Sequence, residues 1–146
     1  MNIEELETMW ETDCQIDDNF LGEYATATPK LHAKYIKELV RVKLKHTKYQ
    51  SDYNLLRKNK FRLYRGELSR DELTSLGWEQ WQGVKPLKNE MDEFLQVDPD
   101  LIILQDKIEY FKTVMYQLEQ IIRSLNSRTW DIKNSIEWTK FTNGLM

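Results

Sequence analysis

Apolar residues recur along this chain at intervals of three and four, the spacing of one helix face. Ile3, Leu6 and Met9 or Trp10 predict a short amphipathic helix at the start. Residues 13 to 27 are less regular and carry Asp17 and Asp18. Thr28-Pro29 then reads as a helix start, Thr as the cap and Pro where its missing N–H is not needed. No Gly or Pro follows until Gly66, while Leu31, Tyr35, Leu39, Val42, His46, Tyr49, Tyr53 and Leu56 form a sustained stripe. One helix is therefore expected from about 29 to 64, on the order of 50 Å long. A helix of that length has to pack against others like it, or against another subunit.

Beyond Gly66, Ser69 and Glu72 have capping-box spacing and predict a short helix to about Gly77. Trp78 and Trp81 fall in a loop with Gly83 and Pro86, and Leu87, Met91, Phe94 and Leu95 mark another helical piece. Asp98-Pro99-Asp100 opens a second long helix, with a cap, Pro at the first position and an acid in the first turn. Its seam of Leu101, Leu104, Ile108, Phe111, Met115, Leu118, Ile122 and Leu125 alternates three and four, a heptad pattern. Asn126-Ser127 is a possible break, after which Trp130, Asn134, Trp138 and Phe141 continue a stripe towards Gly144. Such a seam serves either as intramolecular core or in self-association. With two long seams and only short helices to cover them, self-association through Leu104, Ile108, Phe111, Met115, Leu118, Ile122 and Leu125 is the expectation.

Composition agrees with an all-α chain. At 146 residues there is room for one ordinary domain and not for a two-lobed enzyme. Five Gly and three Pro are too few for an all-β chain turning about every ten residues. No apolar run approaches the ~18 residues of a membrane span, and the acidic opening is unlike a secretory or transit peptide. Cys14 is the sole cysteine, which excludes a disulfide framework and a cysteine-based zinc site. A soluble intracellular protein is expected.

Charge changes the picture once it is resolved along the chain. The total of −3 is unremarkable and on its face disfavours a nucleic-acid partner. Residues 1 to 29 hold eight acids and no Lys or Arg, whereas residues 30 to 65 hold twelve bases against Glu38 and Asp52. Residues 66 to 100 carry nine acids and three bases, and the rest is nearly balanced. Concentration of positive charge in one segment points to an anionic partner, or else to a solvated helix face. Lys30, Lys34, Lys37, Arg41, Lys45 and Lys48 step by three or four and form a rail. Arg57, Lys58, Lys60, Arg62 and Arg65 follow, interleaved with Phe61 and Tyr64. Bases that hold phosphates beside aromatic faces that stack on bases are the general means of binding single strands. Ordinary packing is the competing use of Phe61 and Tyr64. Lys60 falls where the apolar stripe would continue, so either the helix bends there or the cluster faces a groove.

The inventory for catalysis is poor. His32 and His46 are fourteen residues apart without partner spacing, and no phosphate loop, HExxH or nucleophile elbow occurs. The acid pairs Asp71 and Glu72, and Asp98 and Asp100, have capping roles. No catalytic set, metal or cofactor is expected, and a metal-dependent nuclease is the weakest of the three function classes.

From end to end the chain resembles the UvsY-type recombination mediators of T4-like phages. The acidic opening with Ile16-Asp17, the run Leu95-Gln96-Val97-Asp98 and the closing stretch from Ile122-Arg123-Ser124 to Phe141 are similar to that family. Asn59-Lys60-Phe61-Arg62-Leu63, followed by a tyrosine-containing turn to Gly66, resembles its DNA-binding motif Leu-Lys-Ala-Arg-Leu. The motif's first Leu is Asn59 here and its Ala is Phe61, so the resemblance carries a DNA-binding role to Lys60 and Arg62 alone. It implies a non-enzymatic protein of the infected host's cytoplasm. Such a protein binds single-stranded DNA coated by the phage single-strand-binding protein and helps a RecA-like recombinase load, in recombination, repair and recombination-dependent replication. It implies a ring-like homo-oligomer of six or seven chains, assembled through C-terminal helices. On this reading the acidic segment spans 1–28, the basic helix 29–65, a connector 66–97 and the oligomerising helices 98–143 of a single domain. The rival reading is a helical scaffold or adaptor with no nucleic-acid role.

Overall fold

Helix α1 (Ile3–Asp13) begins at a reciprocal cap: the Asn2 side chain accepts from the Glu5 N–H at 2.7 Å, and Glu5 accepts from the Asn2 N–H at 3.3 Å. These features belong to a computed structural model that describes residues 1–144. A 3-10 turn (Asp18–Phe20), capped by Asp17, leads into α2 (Leu21–Arg65). The short helices α3 (Arg70–Leu76) and α4 (Met91–Gln96) follow, and α5 (Pro99–Thr142) ends the order. Among the described residues the secondary structure is entirely helical, as the three-to-four spacing requires.

The long basic helix starts eight residues earlier than Thr28-Pro29 suggests, and Pro29 lies inside it. Proline within a helix removes one backbone hydrogen bond and costs about 3 kcal/mol. One local hydrogen bond and one tertiary contact support the turn before it. Thr28 is buried and donates to the Tyr24 carbonyl at 2.9 Å, and the Arg128 guanidinium lies 5.7 Å from the Tyr24 ring centroid. Helix α5 likewise runs unbroken through Asn126-Ser127, because Leu125 and Arg128 on either side are buried and hold the turn. Two other signals stand as read. Ser69 caps α3 through the Glu72 N–H, and Asp98 precedes a helix whose first residue is Pro99.

The chain forms two compact units, one of Met1–Leu44 with the chain from Phe111 onward, the other of Lys45–Tyr110. In the first, Leu6 of α1, Tyr35 and Val42 of α2, and Val114, Leu118, Ile121, Ile122 and Leu125 of α5 make the core. Because α5 there meets both α1 and α2, its buried arc is wider than a strict heptad seam and takes in Val114 and Ile121. The second unit buries Tyr64, Met91, Leu95 and Leu101, with Tyr53, Leu56, Phe61, Trp81 and Phe94 packed around them. Gly66, at φ +70°, ends α2 in the left-handed conformation, and the Glu67 N–H then reaches the Arg62 carbonyl at 2.9 Å.

The packing corrects one expectation. Leu118, Ile122 and Leu125 are core residues of their own chain, Phe111 and Met115 pack against that core, and Ile108 is buried. Leu104 is half-buried. The seam is therefore largely occupied within the chain, because α1 and α2 cover the part that the sequence left open. Leu118→Ala should lower the stability of the folded chain by about 2–5 kcal/mol, read as an earlier urea midpoint. An unchanged midpoint together with smaller species in sedimentation would place Leu118 at a subunit interface instead.

Candidate nucleic-acid interface

The end of α2 carries the aromatic-basic cluster, and its members have different environments. Positions 56, 60, 63 and 64 continue the buried stripe, so helical geometry alone turns Lys60 and Tyr64 inward. A lysine there needs compensation, since an unpaired buried charge is strongly unfavourable. It has two carboxylates: Nζ lies 2.7 Å from Asp100 Oδ2 and 3.3 Å from Asp98 Oδ2, and 4.6 Å from the Trp78 ring centroid. The Tyr64 hydroxyl donates to Asp98 Oδ2 at 2.5 Å. Asp98 Oδ1 in turn accepts from the N–H groups of Asp100 and Leu101, at 3.0 and 3.1 Å, which caps α5.

This carboxylate, 2% exposed, is thus held by a phenol, an ammonium and two amides. Burial by itself would raise the Asp98 pKa; the Tyr64 and Leu101 hydrogen bonds and the Lys60 charge outweigh it and hold the carboxyl below its usual range. Burial pushes the Tyr64 phenol up, and the hydrogen bond to Asp98 with the charges of Asp98 and Asp100 adds to the rise. The first unit has a similar arrangement at Asp13, whose Oδ2 accepts from Tyr35 at 2.8 Å and Lys34 at 2.7 Å. There the buried Arg128 donates to the carbonyls of Asp13 and Gln15, where α1 ends.

Lys60 and Tyr64 were expected to face DNA; they face the core. Phe61 is half-buried against that core, with the Arg65 guanidinium 5.7 Å from its ring centroid. The remaining bases lie nearer the surface. Arg57 pairs with Asp92 at 3.3 Å, Arg62 with Glu72 at 2.9 Å and Arg65 with Glu67 at 2.9 Å. Lys58 is exposed with no ion pair among the described residues, as are Lys45 and Lys48. In the first unit Lys30, Lys34, Lys37 and Arg41 are exposed, Lys34 paired with Asp13 and Arg41 with Glu38.

Sequence reasoning missed the acids that answer these bases. Asp98 and Asp100 had a sufficient role as helix-capping residues, and their pairing with Lys60 spans 38 and 40 positions. The available signal was Lys60 itself, a base on an apolar stripe. No group of three His, Cys, Asp or Glu that could hold a metal ion occurs among the described residues, and no helix there is long and apolar enough to cross a membrane.

Long helices that carry a row of exposed bases define the class of the chain as all-helical with a cationic face. The chain belongs to the UvsY family, described as "Recombination, repair and ssDNA binding protein UvsY", which matches residues 9–145. Comparison with curated protein sequences finds no match. The fold is similar to that of the bacteriophage T4 recombination mediator protein UvsY in three crystal lattices. Lattice type II gives a TM-score of 0.84 at 20% identity, covering 98% of both chains. Type IV gives 0.81 at 18%, covering 97% of this chain and 99% of that one. Type I gives 0.79 at 19%, covering 94% and 98%.

The depressed Asp98 carboxyl stabilises the fold fully above the unfolded value near 3.8, and that contribution is lost as pH falls through its lower folded value. Thermal unfolding of Asp98→Asn should therefore fall less steeply than wild type as pH drops below about 4. Parallel acid limbs would show that Asp98 does not carry this linkage.

Proposed function

We propose that the chain is a recombination mediator that binds single-stranded DNA and promotes loading of a RecA-like recombinase onto strands coated by single-strand-binding protein. It works without catalysis, in phage homologous recombination, repair and recombination-dependent replication, in the cytoplasm of the infected bacterium. Family membership over residues 9–145 carries this reading. The exposed bases of α2 give it a physical basis.

In the second unit the surface assigned to DNA comprises Lys45, Lys48, Arg57, Lys58, Arg62 and Arg65, with Phe61 beside them. Arg41 of the first unit is a further exposed base. All four of these arginines already have carboxylate partners, but exposed ion pairs are worth only about 0–1 kcal/mol, so a phosphate can replace them. One chain engages few phosphates, which makes binding weak and salt-sensitive. A ring-like assembly of six or seven chains repeats the surface and raises the effective concentration at each later contact.

The residues for that assembly are those that α5 leaves uncovered. Trp130, Ile136, Trp138 and Phe141 are exposed on its last turns, and the rings of Trp138 and Phe141 stack at 5.9 Å. Exposed aromatics in such number are unusual on a monomer.

Titration of a fluorescent oligodeoxynucleotide with the protein tests the reading directly. Binding that weakens steeply with salt is expected, and no binding at low salt would leave a helical adaptor. Lys45→Ala with Lys48→Ala should make the salt slope shallower by about 0.7 for each phosphate that is no longer neutralised. Trp138→Ser with Phe141→Ser should give smaller species in sedimentation while helicity is kept; unchanged size would remove these side chains from the interface.

A further inference from the structure

We propose that Lys60, the first base of the DNA-binding motif, is a positioning residue and not a phosphate contact. Its buried pairing with Asp98 and Asp100 fixes the last turns of α2 against the start of α5. It thereby sets where Arg57, Lys58, Arg62 and Arg65 stand. The inference rests on the single-strand-binding reading above.

Three observations carry it. The Lys60 side chain is 9% exposed and that of Asp98 is 1% exposed, so the pair lies beneath the surface that a strand would touch. The ammonium already has two carboxylates and an aromatic face, and a phosphate would have to compete with the buried Asp98 as well as with the more exposed Asp100. Asp98 is held by the first amides of α5, so Lys60, with Tyr64 of the same helix, is tied to the start of another element. The neighbouring Arg62 has the opposite character: its side chain is 32% exposed and its partner Glu72 is 42% exposed. Of the motif's two bases, one is structural and one is accessible.

Charge sharpens the consequence. Removing Lys60 alone leaves Asp98 and Asp100 uncompensated beside the bases assigned to DNA. The resulting weakness therefore mimics removal of a phosphate ligand although none was present. Neutralising Asp98 in the same chain reverses this. An asparagine there still caps the helix through its one oxygen, and its amide NH2, in the place of Oδ2, donates to the Tyr64 hydroxyl oxygen.

The test compares wild type, Lys58→Ala, Lys60→Met and Lys60→Met with Asp98→Asn. Each is measured for affinity and salt slope on a fluorescent oligothymidylate and for thermal midpoint. Lys58→Ala should bind about threefold more weakly, with a slope shallower by about 0.7 and an unchanged midpoint. Lys60→Met should lose about 6–20 °C of midpoint and bind more weakly at an unchanged slope. The double variant should recover most of the affinity and midpoint with no base at position 60. A double variant that is as stable as wild type but binds as weakly as Lys60→Met, with a shallower slope, would make Lys60 a phosphate contact and overturn the proposal. A double variant that does not fold would overturn it as well, since pairing would not be what position 60 supplies. Wild type that binds no oligothymidylate refutes the single-strand reading instead, while the midpoints still report on the pairing.

Discussion

A carboxylate with four partners organises the second unit. Asp98 caps α5, accepts from Tyr64 and pairs with Lys60, so one side chain joins the start of one long helix to the end of the other. A buried ion pair adds little to net stability, because desolvation roughly cancels the attraction, yet breaking it on one side is costly. What such a pair supplies is a single arrangement: a register shift of α2 would leave an ammonium without its acid. Asp13 has the same function in the first unit, where it gathers Tyr35 and Lys34 while Arg128 holds the adjacent carbonyls. Polar groups thus define each unit's geometry, and apolar burial supplies the bulk of the free energy.

The same acids moderate the basic segment. The bases of positions 57 to 65 include four with carboxylate partners, supplied by residues 67 to 100. Five of the nine acids of residues 66 to 100, Glu67, Glu72, Asp92, Asp98 and Asp100, are therefore partners of the preceding helix. A cluster screened in this way attracts a polyanion weakly through any one chain. Weak contacts multiplied by assembly would suit the proposed mediator, which has to hold a strand and then yield it to a recombinase.

Much of the fold was legible because it depends on local chemistry. Ser69, Gly66, Asp98 and Pro99 act within a turn of where they stand, and a stripe at 3.6-residue spacing needs no knowledge of its partner. The misreadings share a cause, which is that tertiary contact decided them. Pro29 sits inside a helix because Thr28 and Tyr24 have contacts that hold the turn, and Asn126-Ser127 is helical because its neighbours are buried. The site was half legible. Composition located the positive charge in α2, but which bases face solvent depends on acids about forty residues away in sequence. Lys60 carried the warning, being a charge on the apolar stripe.

The allocation of apolar surface bears on assembly. A stripe can be core or interface, and the heptad seam of α5 was readable as either until α1 and α2 were seen to cover its C-terminal half. With Leu118, Ile122 and Leu125 committed to the core, a polar substitution there would unfold the chain before it could report on assembly. The uncovered aromatics at Trp130, Trp138 and Phe141 have the opposite property: they are 65% or more exposed, so the folded chain does not need them. Three large side chains kept in water on one helix carry a standing cost in solubility. A second copy of the chain would remove that cost by covering them, so the proposed assembly should use the last turns of α5 and not its seam.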